Sequence, residues 1–315
     1  MSDHLSLVAR SLRLDYEAGV AVEHLRAAGV PSILLKGAAI ATWLYQGGEV
    51  RPYQDVDLLV SPSRLDTAIA ALAELGYADE LVNAHPAEFG PKERELVGPG
   101  NVHIDLHHGL IGVSAPSQRC WDVLVGRTTA FQLTPSVQVQ VLDPAARAMH
   151  LALHAAQNGP IDVKALADLE RGLGKLSREE WGEAARVAEQ LEATEAFAAG
   201  LRLLPGGERL AEELALPRRM TVELALRTRS APQDALFFER LAQVPGARGK
   251  AWVFARKVFP TAALLHANSP LARRGRLGLL LVRLGHPLVQ AGRLGPALVA
   301  WFRARRAARR SQLER

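Results

Sequence analysis

Residues 51–60 read RPYQDVDLLV, and this stretch decides the fold. Side chains alternate between the two faces of an extended strand, so Asp55 and Asp57 share one face. Val56 and Leu58 share the other, apolar face. The apolar run after the second aspartate favours a buried strand over the alternative, an acidic surface turn. Two close carboxylates repel each other, and a bound cation would relieve that repulsion. Because Mg²⁺ binds through carboxylates and substrate phosphates, the pair indicates a Mg²⁺ site.

A short apolar strand and a glycine turn precede this stretch. SILL, residues 32–35, predicts a strand that ends at Lys36, and Gly37 opens a helix that reaches residue 45. The first N–H groups of a helix and its dipole attract phosphate. Lys36 would add a positive charge, and Gly37 would let a ligand approach the backbone. Many strand-to-helix turns contain glycine, so this turn indicates a phosphate site only in combination with the two aspartates.

A second acidic strand is predicted at residues 101–110, NVHIDLHHGL. His103, Asp105 and His107 share one face of it. With the earlier pair of aspartates, Asp105 completes a set of three candidate catalytic metal ligands. Two-metal phosphoryl and nucleotidyl transfer uses such a set to hold two ions about 3.5–4 Å apart. The two histidines could join the metal shell, but hydrogen bonds to the aspartates or to a substrate are favoured, since Mg²⁺ prefers oxygen.

The remaining pattern changes from mixed elements to helices near residue 142. Other predicted elements are helices at residues 4–29 and 63–75 and strands at residues 92–97 and 127–133. From Asp143, an N-cap followed by proline starts a long run of helices. The prediction is an α+β protein. Its catalytic domain, residues 1–142, is a small mixed sheet flanked by helices, and an all-α domain follows at residues 143–315.

Other polar residues are weaker candidates. Arg51 could bind phosphate through its guanidinium fork or form an ion pair with Asp55 across the turn. Lys164 and Asp168 lie one helical turn apart and form a possible ion pair, which could also contact nucleotide or acceptor. His150 and His154 have a spacing that can hold zinc. Because no Glu-x-x-His pattern accompanies them, packing or supporting roles are favoured.

Composition limits the class of protein. The 315 residues are 48% hydrophobic, which indicates a globular chain long enough for two domains. The one cysteine excludes an intramolecular disulfide and fits a reducing compartment. The N-terminal segment has no apolar signal core, so we expect a cytoplasmic location.

The charge is unevenly distributed. Residues 244–315 contain fifteen Lys or Arg and one acid, whereas the preceding residues carry a net charge of −9. The basic residues within 273–310 predict a polyanionic partner. It would be nucleic acid, an acidic protein or an anionic membrane surface, and the last would make the protein membrane-peripheral. The apolar runs among them are too short to span a bilayer. Ordinary packing of a terminal helical hairpin, with a solubilising basic face, is the alternative.

At the motifs above, the chain resembles the DNA polymerase β-like nucleotidyltransferase superfamily. It is most similar to a bacterial group of nucleotidyltransferases often encoded near peptide natural-product genes. In that group LLKG, an arginine, Asp-x-Asp-Leu-Leu-Val and Asp-Leu-His occur in this order. Here they are LLKGAAI (34–40), Arg51, DVDLLV (55–60) and IDLHHGL (104–110). The similarity covers approximately residues 18–290. Most of the superfamily carries Gly-Ser at the turn, where this chain has Lys36-Gly37-Ala38, so Lys36 is a candidate substitute for the serine contact.

The resemblance implies a Mg²⁺- or Mn²⁺-dependent enzyme. It would transfer a nucleoside monophosphate from an NTP such as ATP to a hydroxyl or phosphate and release pyrophosphate. Asp55 and Asp57 would hold the nucleotide-side metal, and Asp105 would complete the second metal site and help to deprotonate the acceptor. The triphosphate contacts would come from Lys36, Gly37 and Arg51.

The acceptor implied by the resemblance is a peptide, a tRNA or a small molecule. The alternative function is a non-catalytic module of the same fold. Such a module would bind nucleotide, or a polyanion through the basic C-terminal tail.

Overall fold

The computed structural model describes residues 2–47, 49–79, 92–232 and 234–313. The chain forms two compact units, one of Met1–Gln157 with Asp162–Pro217 and one of Asn158–Ile161 with Arg218–Arg315. Helices that follow residue 142 therefore share a compact unit with the sheet as far as Pro217. The domain boundary predicted near residue 142 coincides with the change from strands to helices, and as a division between domains it stays a prediction.

The first unit contains one mixed sheet, whose strand order in the described residues is β3-β4-β5-β2-β1-β7-β6. The strands are β1 (Ser32–Leu34), β2 (Asp55–Val60), β3 (Ala78–Asp79), β4 (Glu93–Val97), β5 (His103–His107), β6 (Thr128–Gln132) and β7 (Gln138–Leu142). β1 runs antiparallel to β2 and parallel to β7, while β2 runs parallel to β5. The α+β class with a mixed sheet is confirmed.

Helices surround the sheet in the first unit. They are α1 (Ser2–Ala27), α2 (Ala38–Leu44), α3 (Leu65–Glu74), α4 (Ser117–Val125), α5 (Pro144–Asn158), α6 (Val163–Lys175), α7 (Arg178–Gln190), α8 (Thr194–Leu201) and α9 (Pro205–Glu213). Capping residues fix the N-terminal ends of two of these helices. The Asp162 side chain accepts a hydrogen bond from the Ala165 N–H at the start of α6, and Ser177 and Glu180 form a capping box at the start of α7.

The apolar face of β2 is buried in a core with α1 and α3. Val56, Leu58 and Val60 lie in this core together with Leu25 of α1 and Leu72 of α3. Since side chains alternate along a strand, burial of these residues turns Asp55 and Asp57 towards the opposite face of the sheet. The β2 strand that the sequence predicts is confirmed residue for residue.

Arg147 ties α5 to the sheet and to α2. Its guanidinium donates hydrogen bonds to the backbone carbonyls of Leu142, at 2.8 and 3.1 Å, and of Ala39, at 3.2 Å. It also lies over the Trp43 ring, 4.8 Å from the ring centroid. These contacts fix the first turns of α5, the helix that also carries His150 and His154.

The second unit is helical, as predicted for the C-terminal part of the chain. Its helices are α10 (Val222–Arg227), α11 (Asp234–Gln243), α12 (Ala247–Val258), α13 (Ala262–Asn268) and α14 (Arg276–Leu313). Ala297, Trp301 and Ala304 of α14 pack in a core with Leu226 of α10 and Ala235 of α11. Small alanine side chains on the packed face allow close approach of the long helix to its neighbours.

Candidate active site

The register of β2 and β5 builds a cluster of possible metal ligands. Asp57 lies directly beside Asp105 across this parallel pair, and Leu59 lies beside His107. Ligand atoms of Asp57, Asp105 and His107 all lie within 4.8 Å of one another. The Asp57 side chain is 1% exposed, so its carboxylate needs partners to remain charged.

Two side chains are those partners, and both contact the same carboxylate oxygen of Asp57. The Lys36 ammonium donates to Asp57 Oδ1 at 2.6 Å, and a hydrogen bond of 3.1 Å joins the same oxygen to His107 Nε2. The other ring nitrogen of His107 lies 3.4 Å from a carboxylate oxygen of Glu93 on β4. Burial alone would raise the pKa of Asp57, but Lys36 and His107 hold it well below its usual range.

Lys36 stays charged in spite of its burial. Burial opposes the ammonium form, yet the nearby carboxylates of Asp57, Asp55 and Asp105 raise the pKa of Lys36 above its ordinary value. The following Gly37 has φ +61°, in the left-handed region that favours glycine, and begins α2. The turn at Lys36 and Gly37 therefore directs a fixed positive charge at the acidic face of the sheet.

Asp105 differs from its neighbour Asp57 in protonation. Burial raises the pKa of Asp105 to about 7, and the negative charges of Asp57, Asp55 and Glu93 add to the effect against the opposing influence of His107. A group with a pKa near neutrality can accept or release a proton during a reaction.

Asp55 and His103 occupy more peripheral positions than the strand pattern predicted. Asp55 acts electrostatically on Lys36 and on Asp105, but the ligand group within 4.8 Å contains His107 in its place. His103 forms hydrogen bonds with Glu95 at 2.9 Å and Asn101 at 3.2 Å. Of the two histidines expected to contact an aspartate or a substrate, the structure places His107 on Asp57 and pairs His103 with Glu95.

Arg51 and Asp168 form a buried ion pair beside the cluster. The Nε and Nη2 atoms of Arg51 donate to both carboxylate oxygens of Asp168 at 2.6 to 3.0 Å, and the Tyr45 hydroxyl donates to the same carboxylate at 2.8 Å. The pairing of Asp168 with Lys164, expected from their helical spacing, is therefore wrong. The alternative of an ion pair between Arg51 and Asp55 is also wrong. Arg51 Nη1 is buried and has no hydrogen-bond partner among the described residues.

His150 and His154 face the same cluster from α5. Burial lowers the pKa of His150 to about 3, and the positive charges of Lys36, His107 and Arg51 contribute, against the attraction of Asp57. The pKa of His154 is also lowered well below its ordinary value, by burial and then by Lys36 and His150. Both imidazoles are therefore neutral at pH 7. In the sequence, His150 and His154 are separated by one helical turn. In the structure, the helix that carries them is buried over most of its length.

The donor set fits a divalent cation. Asp57 and Asp105 offer carboxylate oxygens, the ligands that Mg²⁺ and Mn²⁺ prefer, and His107 offers a ring nitrogen. Asp57, Asp55 and Glu93 place negative charge around Asp105, and a bound cation would offset it. Lys36 already neutralises part of Asp57, so it would share the site with the ion.

Comparisons with known proteins give a family. A family profile described as "uncharacterised nucleotidyltransferase" matches residues 2–205. A solution structure of the antibiotic-resistance factor ANT(2'')-Ia is 17% identical with a TM-score of 0.38, over 60% of this chain and 96% of that one. An antigenic nucleotidyltransferase-like protein from Paracoccidioides brasiliensis is 15% identical with a TM-score of 0.36, over 58% of this chain and 91% of that one. No curated protein matches the chain.

Proposed function

This chain belongs to a family of uncharacterised nucleotidyltransferases, and we propose that it is a Mg²⁺- or Mn²⁺-dependent enzyme that transfers a nucleoside monophosphate from an NTP. The observation that carries the proposal is the alignment of Asp57 with Asp105 on neighbouring parallel strands, next to the Lys36 ammonium. Carboxylates and a fixed cation on one face are what a triphosphate with its metal requires.

The ligand roles follow from distance and burial. Asp57, Asp105 and His107 would hold a divalent ion, and Asp55, at the start of β2, would complete the set on the nucleotide side. A bound ion would polarise the α-phosphate and neutralise charge on the oxygens that attack and leave. The prediction that all three aspartates are ligands is kept here, with His107 added to them.

The phosphate contacts would come from the two cations beside the carboxylates. Lys36 is held in its charged form and directed at the cluster by the Gly37 turn, so its ammonium would stabilise negative charge on the triphosphate. Arg51 is held rigidly by Asp168, and its Nη1 has no partner among the described residues, so this amino group would contact phosphate. Asp168 acts as a positioning residue for Arg51. Lys164 is kept as a candidate contact for nucleotide or acceptor.

Asp105 would also accept the proton of the acceptor. The acceptor oxygen forms a bond to the α-phosphorus, the bond from that phosphorus to the bridging oxygen breaks, and pyrophosphate leaves. The hydroxyl proton would pass to the Asp105 carboxylate. Positioning and charge stabilisation supply most of the acceleration in such reactions.

Titration calorimetry tests the nucleotide part of the proposal. Each NTP is titrated into the full chain with and without Mg²⁺, for wild type, for Asp57→Asn and for Asp66→Asn, a matched change at an exposed aspartate of α3. We expect at least one NTP to bind in the presence of metal and Asp57→Asn to lose that binding while Asp66→Asn keeps it. Binding that needs no metal and survives Asp57→Asn would contradict the proposal and favour a polyanion-binding module.

Label transfer tests the reaction itself. The NTP that binds is supplied with a labelled α-phosphate, together with peptide, tRNA or small-molecule fractions, the three acceptor classes carried over from the sequence. Transfer requires that label and pyrophosphate appear in equal amounts and that Asp105→Asn abolishes both. Metal-dependent NTP binding without transfer to any of these fractions would indicate a binding module in place of an enzyme.

A further inference from the structure

The long helix α14, which contains Pro287 and Pro296, exposes an apolar stripe in two parts. Ala291 and Gly295 lie on the same face between them. The leucines at 277, 281, 284 and 288 are separated by four, three and four residues, and Leu298 and Phe302 continue the same helical face. These six side chains are 37% to 77% exposed. From Leu277 to Phe302 the stripe is about 37 Å long at the rise of an α-helix. A run of this length is more than scattered surface leucines.

The opposite face of α14 already provides its packing contacts. Ala297, Trp301, Ala304 and Ala308 are at most 9% exposed and lie against the other helices of the second unit. The Trp301 indole donates a hydrogen bond to a Glu239 carboxylate oxygen at 2.8 Å. The stripe is therefore not the side by which the helix packs in its own unit, which leaves it for another partner.

The charge on α14 has one sign. Residues 276–313 contain eight arginines and no aspartate or glutamate. Arg276 and Arg283 lie beside the stripe, and Arg306 and Arg309 continue its face beyond Phe302; all four are exposed. An apolar stripe bordered by cations matches the boundary of a bilayer, where leucines reach the acyl chains and guanidinium groups reach anionic headgroups.

We propose that α14 binds anionic membranes by lying in the interface, with the stripe from Leu277 to Phe302 inserted among the lipids. Among the described residues, no helix has both the length and the apolar character needed to cross a bilayer, so the helix would lie parallel to the surface. Pairing with a second copy through the stripe is disfavoured because the four arginines beside it would face another four. A nucleic acid would contact the arginines but would leave the leucines exposed.

Vesicle sedimentation with the full chain tests this proposal. The vesicles are pure phosphatidylcholine or a mixture of phosphatidylcholine and phosphatidylglycerol. We expect binding to the mixture, weakened by salt. The double variant Leu281→Asn/Leu284→Asn should reduce it on the order of tenfold or more. The matched control Leu5→Asn/Leu12→Asn changes two exposed leucines of α1, 62% and 64% exposed, and should bind as the wild type does.

A second measurement locates the stripe directly. In Leu288→Trp, we expect quenching of the added tryptophan by lipids brominated on their acyl chains, and in Leu12→Trp no added quenching. Failure of the wild type to bind mixed vesicles overturns the proposal, as does binding that the leucine changes leave intact. Equally, salt-sensitive RNA binding without vesicle binding would assign the arginines to nucleic acid. Dimers that dissociate in the leucine variant, again without vesicle binding, would assign the stripe to a second copy.

Discussion

The acidic site on the sheet and the helix α14 differ in how their charges are placed: those of the site are buried and paired, and those of α14 are of one sign. At the site, Asp57 is almost inaccessible to solvent and has Lys36 at 2.6 Å and His107 at 3.1 Å. On α14, eight arginines share a helix that has no acid between residues 276 and 313. Charges buried at such cost are retained where chemistry needs them, whereas exposed charges of one sign attract a partner from solution.

The acidic site and α14 also differ in whether they lie within the residues that match the family. The matched residues, 2–205, contain every side chain of the candidate active site, and α14 begins at Arg276, outside the match. Chemistry is therefore attributed to the region that the family shares. The basic helix would decide where that chemistry takes place. The proposed nucleotide site and the proposed membrane-binding helix can be tested independently, because the first rests on buried contacts and the second on an exposed surface.

The largest effect is expected from Asp57→Asn. Removing this carboxylate takes away the central ligand and the partner of Lys36, so nucleotidyl transfer should fall by about a thousandfold or more. Pyrophosphate release from the bound NTP measures it, with Asp66→Asn as the control at an exposed aspartate. Should Asp57→Asn retain activity close to that of Asp66→Asn while folding normally, the cluster would not be the active site.

The next effect concerns the buried ion pair. Asp168→Ala leaves the Arg51 guanidinium, 2% exposed, without its carboxylate, so the free energy of unfolding should fall by about 3–5 kcal/mol. Glu213→Gln is the matched control, since the Arg178–Glu213 pair is 67% and 56% exposed and should contribute less than about 1 kcal/mol. Urea unfolding followed by circular dichroism compares the two. Equal losses would show that Arg51 gains little from Asp168.

Substitutions of two leucines compare the buried core at the sheet with the exposed surface of α14. Leu58 on β2 is fully buried and Leu284 is 66% exposed. Leu58→Ala should lower the free energy of unfolding by about 2–5 kcal/mol, and Leu284→Ala by less than about 0.5 kcal/mol. A large loss at Leu284 would mean that the stripe stabilises the fold, and the membrane assignment would lose its basis.

Near neutral pH, the smallest effect is the pH dependence of stability. His150 has a pKa of about 3 when folded and an ordinary value of 6.5, so below pH 6.5 the unfolded chain binds a proton that the folded chain does not. Stability is then full above pH 6.5 and declines towards pH 3, by about 1.4 kcal/mol per pH unit for one such group. His150→Asn should reduce the slope of unfolding free energy between pH 6 and pH 4, whereas a matched change at the exposed His266 should not. An unchanged slope in His150→Asn would place its imidazole in contact with solvent.

Local patterns in the sequence predicted the central strands but not their partners. The alternation in DVDLLV and HIDLH fixed β2, β5 and the faces of their aspartates. The strand β7 was missed although QVQVL also alternates, and β3 and α4 were missed as well. A two-residue strand such as β3 has too few residues to show a period. The strand β7 is as long as β5, so its length does not explain why it was missed.

Contacts between distant residues account for the other errors. Arg51 and Asp168 are 117 residues apart, and nothing in either local pattern indicates their pairing. The inclusion of His107 with Asp57 and Asp105 depends on the β2–β5 register, which a single sequence does not specify. The sequence could therefore predict which residues carry the chemistry, while the mutual distances required the fold.

Mn²⁺ binding followed by electron paramagnetic resonance tests whether this sheet holds a metal-dependent nucleotide site. Free Mn²⁺ gives a strong signal that is lost on binding, so a titration of the full chain with and without a non-hydrolysable NTP counts the bound ions. Wild type and Asp66→Asn should bind Mn²⁺ more tightly with nucleotide, whereas Asp57→Asn and Asp105→Asn should not. Equal Mn²⁺ binding by wild type and both site variants would contradict a metal-dependent nucleotide site on this sheet.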